Sequence, residues 1–245
     1  MKKFICLVII IAVAVAIGYK VYPMINSGEE NIAVDNVESN TTIVDEKETT
    51  LSNEDIYGDV ISSYKNAYNE YDIEDYESED KITAKYDLVS LTLITHVARY
   101  SEDGIVLTYE YYDIDKNGVD ELIVGASGAP GAIYSFNKND NKVTKVFFQD
   151  TMERGDLSIY DNGVIFSSGA GGAALHYYEF GKISKDDASY ELLEKIEEEY
   201  ESENEPPVYR DAETSKELKY KSYDEIVDKY LAGARKVELD DYSKM

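Results

Sequence analysis

From Ile105 onward the chain is a succession of short β-forming runs cut by turn residues, a pattern that few folds accept. The runs cover residues 105–112, 121–126, 132–136, 142–148, 157–160, 164–167 and 175–181. Between them lie Asn117-Gly118, Asn139-Asp140-Asn141 and Asp161-Asn162-Gly163, and Asn and Gly readily reach the positive φ of hairpin turns. Parallel strands would need crossovers of about a dozen residues, usually helical, and these gaps leave no room for them. The runs therefore read as an antiparallel meander.

Helix signals flank the meander. Ser52-Asn53-Glu54-Asp55 has the form of a capping box, and Ile56, Val60, Ile61, Tyr64, Ala67, Tyr68 and Tyr71 follow on one stripe of about four turns. A second box, Ser222 to Glu225, leads Ile226, Val227, Tyr230 and Leu231 along one face towards Gly233. Residues 86–98 read as helix, although Val89, Leu91, Leu93 and Thr95 also alternate as a strand would. Residues 190–200 read as strand because they follow the meander, although Leu192, Leu193 and Ile196 also suit a helix. Residues 202–216, with Pro206-Pro207, read as polar loop. The expected class is α+β: an antiparallel meander sheet with helices at the N- and C-terminal ends of the domain packing on one face.

Three segments follow from composition. Lys2-Lys3 precedes fourteen apolar residues, 4–17, the pattern of an export signal or of an anchor whose N-terminus is cytoplasmic. Ala12-Val13-Ala14 and Ala14-Val15-Ala16 resemble cleavage sites. Apolar character resumes to Ile25 past Lys20, and the length then reaches the roughly 20 residues of a spanning helix. We read 1–25 as a single-pass anchor in preference to a cleaved signal, with the rest of the chain exported. Residues 26–51 are acidic and polar without a sustained period, and read as a disordered stalk. Residues 52–245 form the exported domain.

The chain carries 50 acidic against 24 basic residues, a formal charge of −26. That charge repels phosphate backbones and excludes nucleic acid as a partner, while it favours cations. Cys6 is the single cysteine and lies in the apolar run, so no disulfide can form within the chain.

The acids are most ordered at Asp113-Ile114-Asp115-Lys116-Asn117-Gly118-Val119-Asp120-Glu121. Calcium needs six to eight hard oxygens, and a short loop supplies them from alternate positions. Asp113, Asp115 and Asn117 stand at positions one, three and five, Gly118 at the sharp turn, the Val119 carbonyl at seven and Glu121 at nine. The twelfth position is Val124, so the loop lacks the last ligand of an EF-hand. Asx turns and Asn-Gly can also fold such a loop without metal. Yet three oxygen side chains alternating before glycine exceed what a turn needs, and the loop's four acids would otherwise repel. The expected ligands are Asp113, Asp115, Asn117, Val119 and Glu121, and the expected cofactor is one calcium ion.

The spacing D-x-D-x-N-G-x-x-E resembles the calcium loops of FG-GAP repeats, with two differences: one loop stands alone, and its ninth residue is Glu. The phrase YEYYDIDKNGVDELIVG, with the later LSIYDNGVIFSSGAGGAALHYYEF, resembles a family of uncharacterised exported proteins of Gram-positive bacteria. That resemblance implies an anchored or secreted domain and supplies no catalytic residues.

Other features carry less chemistry. The glycine-rich segments 125–131 and 167–174 lack the Lys-Ser or Lys-Thr and following helix of a phosphate loop, and read as bulges or as the floor of a groove. His96 and His176, the only histidines, have no adjacent ligands at zinc spacing. Ser127, Ser167 and Ser168 lack a nucleophile-elbow setting. The chain thus reads as a membrane-anchored, extracytoplasmic binding or structural domain stabilised by calcium, its ligand a component of the cell envelope or exterior. The alternative is a secreted or surface hydrolase with a carboxylate-based site.

Overall fold

Ser52 starts the first helix as its sequence dictates. The Ser52 hydroxyl accepts from Asp55 N at 3.2 Å, and the Asp55 carboxylate accepts from Ser52 N at 3.1 Å, closing the capping box. The computed structural model describes residues 51–202, 205–239 and 242–245. The anchor or signal segment with Cys6, and the stalk up to residue 50, lie outside the described residues. Among the described residues no helix is long and apolar enough to cross a membrane.

Helices α1 (Asn53–Glu70), α2 (Ser78–Lys85) and α3 (Leu91–Tyr100) come first. Of the stretch read as helix over 86–98, only the part from Leu91 is helical, as α3, because the Ser90 hydroxyl caps it by accepting from Leu93 N. No periodicity announced α2: it has eight residues and buries only Ser78 and Ile82, too few to leave a stripe. Four strands follow, β1 (Leu107–Tyr112), β2 (Glu121–Ala126), β3 (Ala129–Asn137) and β4 (Lys142–Phe148). Five more are β5 (Gly155–Ile159), β6 (Ile165–Gly172), β7 (Leu175–Ile183), β8 (Tyr190–Glu199) and β9 (Val208–Asp211). Helix α4 (Tyr223–Leu231) and the edge strand β10 (Ser243–Lys244) complete the order.

The class is α+β and every strand pairing is antiparallel, but the meander divides into two sheets, β10-β1-β2-β3-β4 and β5-β6-β7-β8-β9. One core joins α1, α2 and α3 to the first sheet through Tyr57, Tyr64, Leu93, Leu122, Val124 and Tyr134. A second core lies between the sheets and contains Ile114, Ile123, Ile133, Leu157, Ile159 and Ile165. The third packs α4, through Ile226 and Leu231, on Phe166, Phe180 and Ile196 of the second sheet. Each sheet is covered by helices on one face, but the terminal helices serve different sheets rather than sharing one. The sheets use their remaining faces against each other, so only the two outer faces are open to helices. This layering explains why all six residues of β2 are buried and why it reads as a continuous apolar run.

Part of the expected 202–216 loop is strand: β9 pairs with β8 from Ile196↔Asp211 to Glu199↔Val208. A four-residue edge strand carries too little pattern to read in advance. The first glycine-rich segment forms the β2–β3 hairpin, with Ser127 (φ 47°) and Gly128 (φ 90°) as its two turn residues. A Cβ on Gly125 would lie 2.2 Å from the Ala129 carbonyl oxygen, so glycine permits the close backbone approach there.

Candidate metal centre

The 113–121 loop leaves β1 and enters β2 beyond their last cross-strand pair, Tyr112↔Glu121. Glu121 shares a strand face with Ile123, which belongs to the core between the sheets, and it is 0% exposed. Positive φ at Lys116 (61°) and Gly118 (83°) curls the chain back over it. Asp113 accepts from Asn117 N and Gly118 N, each at 3.1 Å, and Asp115 accepts from Asn117 N at 2.9 Å. Asp113, Asp115 and Glu121 consequently bring one carboxylate oxygen each within 4.8 Å of one another, and this triad can hold a metal ion.

Glu121 receives two donors: Ile114 N reaches Oε2 at 2.7 Å, and Ser135 Oγ on β3 reaches Oε1 at 2.9 Å. Burial nevertheless pushes its carboxyl up to about 7, against the Ser135 hydrogen bond and with the Asp115 charge adding to the rise. Burial raises Asp115 as well, and the Asp113 charge beside it adds to this. Three lysines approach the loop but donate to backbone: Lys116 to Asp113 O, Lys138 to Asn117 O and Lys185 to Lys116 O. Among the described residues no ion pair reaches any of the three carboxylates. Glu198 on β8 gives the contrast. It is 4% exposed, and its oxygens accept from the hydroxyls of Tyr178, Tyr200 and Tyr209, so the protein satisfies that acid unaided.

The structure gathers the three acids named from the sequence. Asn117 ties the turn: its Oδ1 accepts from Val119 N at 2.8 Å, and its Nδ2 donates to Asp115 Oδ2 at 2.8 Å. Val119 enters these hydrogen bonds through its N–H. Sequence reasoning missed the supports of the loop. Asn53 Nδ2 donates to Asp120 Oδ2, and Tyr57 OH donates to Asp120 O, each at 2.8 Å, so α1 clamps the loop's far end. Ser135 had one faint signal, its two-residue spacing from apolar Ile133; Asn53 and Tyr57 had none. His96 lies on α3 beside Tyr100 and His176 on β7 beside Tyr200, and neither belongs to the acidic triad. Both glycine-rich segments lead into strands rather than helices. An all-oxygen donor set of this kind suits hard cations such as calcium or magnesium.

No family model matches the chain, and no curated protein matches it. Among solved structures, a Xanthomonas type IV secretion system related protein aligns at 14% identity over 44% of this chain and 55% of that one. This chain thus spans about half of that protein, and the TM-score of 0.31 is too low to carry an argument about fold or function.

Proposed function

We propose that the chain is an extracytoplasmic binding or structural domain, tethered to the membrane by its N-terminal segment and stiffened by one calcium ion. The observation that carries the metal is the convergence of Asp113, Asp115 and buried Glu121 with no ion-paired cation among the described residues. A bound divalent ion supplies the missing positive charge and favours the ionised form of all three acids. The protein's part is to aim the oxygens: Asn117 N and Gly118 N orient Asp113, while Ser135 and Ile114 N orient Glu121. Support for the tether is Lys2-Lys3 ahead of the apolar run, and support for kinship with the exported Gram-positive family is the loop phrase with its tyrosine-rich approach.

Melting the protein in chelator and in calcium tests the metal. Stability should rise by about 2.7 kcal/mol at a hundredfold excess of calcium over its dissociation constant, and Asp115→Ala should remove most of that gain. Terbium in the loop should luminesce on tyrosine excitation, because Tyr109, Tyr111 and Tyr112 immediately precede it. Equal melting temperatures in chelator and millimolar calcium, without a loop-dependent terbium signal, would reduce the loop to an acidic turn.

A further inference from the structure

The seam between the sheets opens into a cleft of about 490 Å³ that shares no residue with the acidic loop. One wall is the end of β4 with the connection that leaves it, and the floor is formed by β6, β7 and β8. The register explains its chemistry. Leu157, Ser167, Glu179 and Lys195 are successive cross-strand partners, so one row runs from the dry core outward into polar residues. Two residues along β6 from Ser167, Gly169 leaves a hollow: a Cβ there would meet nothing nearer than Arg154 O at 3.9 Å.

The one lysine in the lining is already matched. Glu179 Oε2 pairs with Lys195 Nζ at 2.9 Å, and Glu179 Oε1 accepts from Tyr190 OH at 2.9 Å. The Tyr190 ring is fixed over Gly181, where a Cβ would lie 2.2 Å from it, and it packs 5.5 Å from the Phe147 ring. Gln149 lines the wall, is 3% exposed, and among the described residues its Oε1 has no hydrogen-bond partner. A buried amide oxygen in that state is costly, and a donor from a ligand relieves it. The cleft therefore offers aromatic surface, an amide, a hydroxyl and a neutralised ion pair, within the usual range of about 300–1,000 Å³ for small-molecule sites.

We propose that this cleft binds a neutral saccharide of one or two rings. Sugar hydroxyls are the donors that Gln149 lacks and the acceptors that the remaining N–H groups of Lys195 suit, while the C–H face of a pyranose suits the Phe147 and Tyr190 rings. Among the residues that line the cleft, an anion would find the one lysine already paired and Asp150 beside it. This inference supplies the ligand class for the binding-domain reading and rests on it, but it does not require the metal.

The test is calorimetric titration of the full chain, held in a detergent without a sugar headgroup, with cellobiose and with N,N′-diacetylchitobiose. At least one disaccharide should bind saturably, one per chain. Gly169→Val, whose Cβ meets nothing nearer than 3.9 Å and which favours strand, should weaken binding by about tenfold or more while the melting temperature is kept. Gln149→Leu, which removes the unpartnered amide oxygen, should also weaken binding. The proposal is overturned if neither sugar saturates below about 50 mM, or if both variants bind like the wild type. Capture of an extended peptide by the cleft instead, competing with neither sugar, overturns it too. Repeating the titration in chelator separates the two readings: binding retained there upholds the cleft whatever becomes of the calcium site.

Discussion

Glu121 is under two opposed demands. Its place on the inner face of β2 removes it from water, while its position beside Asp113 and Asp115 suits it to a cation. Glu121→Gln separates these demands. The amide oxygen can accept from Ile114 N and the amide nitrogen can donate to Ser135 Oγ, so the local hydrogen bonds survive without the charge. In chelator at neutral pH the variant should be more stable than the wild type by about 1–3 kcal/mol, because no unpaired charge is buried. In saturating calcium the order should reverse as the calcium gain disappears. Urea unfolding in both buffers checks this, and a variant less stable than the wild type in both would show that the ionised carboxylate stabilises the fold without calcium. The triad was legible because its members lie within nine residues, where spacing alone constrains which oxygens can meet. Ser135, Asn53 and Tyr57 were not, since their partners lie 14, 67 and 63 residues away along the chain.

Helix α4 is pinned to its sheet by Glu194 of β8. That carboxylate accepts from Tyr220 OH at 2.6 Å, Tyr230 OH at 2.8 Å and Lys229 Nζ at 2.9 Å. Burial pushes the carboxyl up, but the three donated hydrogen bonds outweigh burial and hold it below the usual carboxylate range. A carboxyl lowered in the folded state contributes stability that is complete above its unfolded pKa of about 4.3. That stability is lost as pH falls through the lowered folded value. Glu194→Gln should therefore cost about 1–3 kcal/mol at pH 7, and its stability curve should converge on the wild-type curve in the acid limb. Denaturant titrations at several pH values measure it, and a gap that stays constant down to the acid limb would assign the loss to packing. The two capping boxes show how far element starts can be read. Ser52 makes both bonds of its box, whereas at the second the Ser222 hydroxyl accepts from Glu225 N while Glu225 accepts from Lys221 N.

At the scale of the molecule, the order helices–sheet–sheet–helix gives the domain three cores in series, and both the acidic loop and the cleft open from the middle one. The proposed tether makes a prediction at this scale. Expressed in a Gram-positive host, the full chain should fractionate with membranes, and protease outside intact cells should release a fragment by cutting within residues 26–53. A mature protein recovered from the medium with its N-terminus near Ile17 would replace the anchor by a cleaved signal and leave export standing.

Features that depend on neighbours along the chain were legible in the residues alone. Short alternating runs and Asn-Gly turns dictated antiparallel strands, Ser caps set where α1 and α4 begin, and the D-x-D-x-N-G-x-x-E spacing aligned three acids. How those strands were shared between two sheets emerged only from packing, because either face of a buried strand is apolar and pattern cannot say which partner it meets. The same reason hid the cleft: Ser167, Glu179 and Lys195 meet across three strands of the second sheet and Gln149 comes from the connection after β4, a convergence set by register and layer packing rather than by any spacing in the chain.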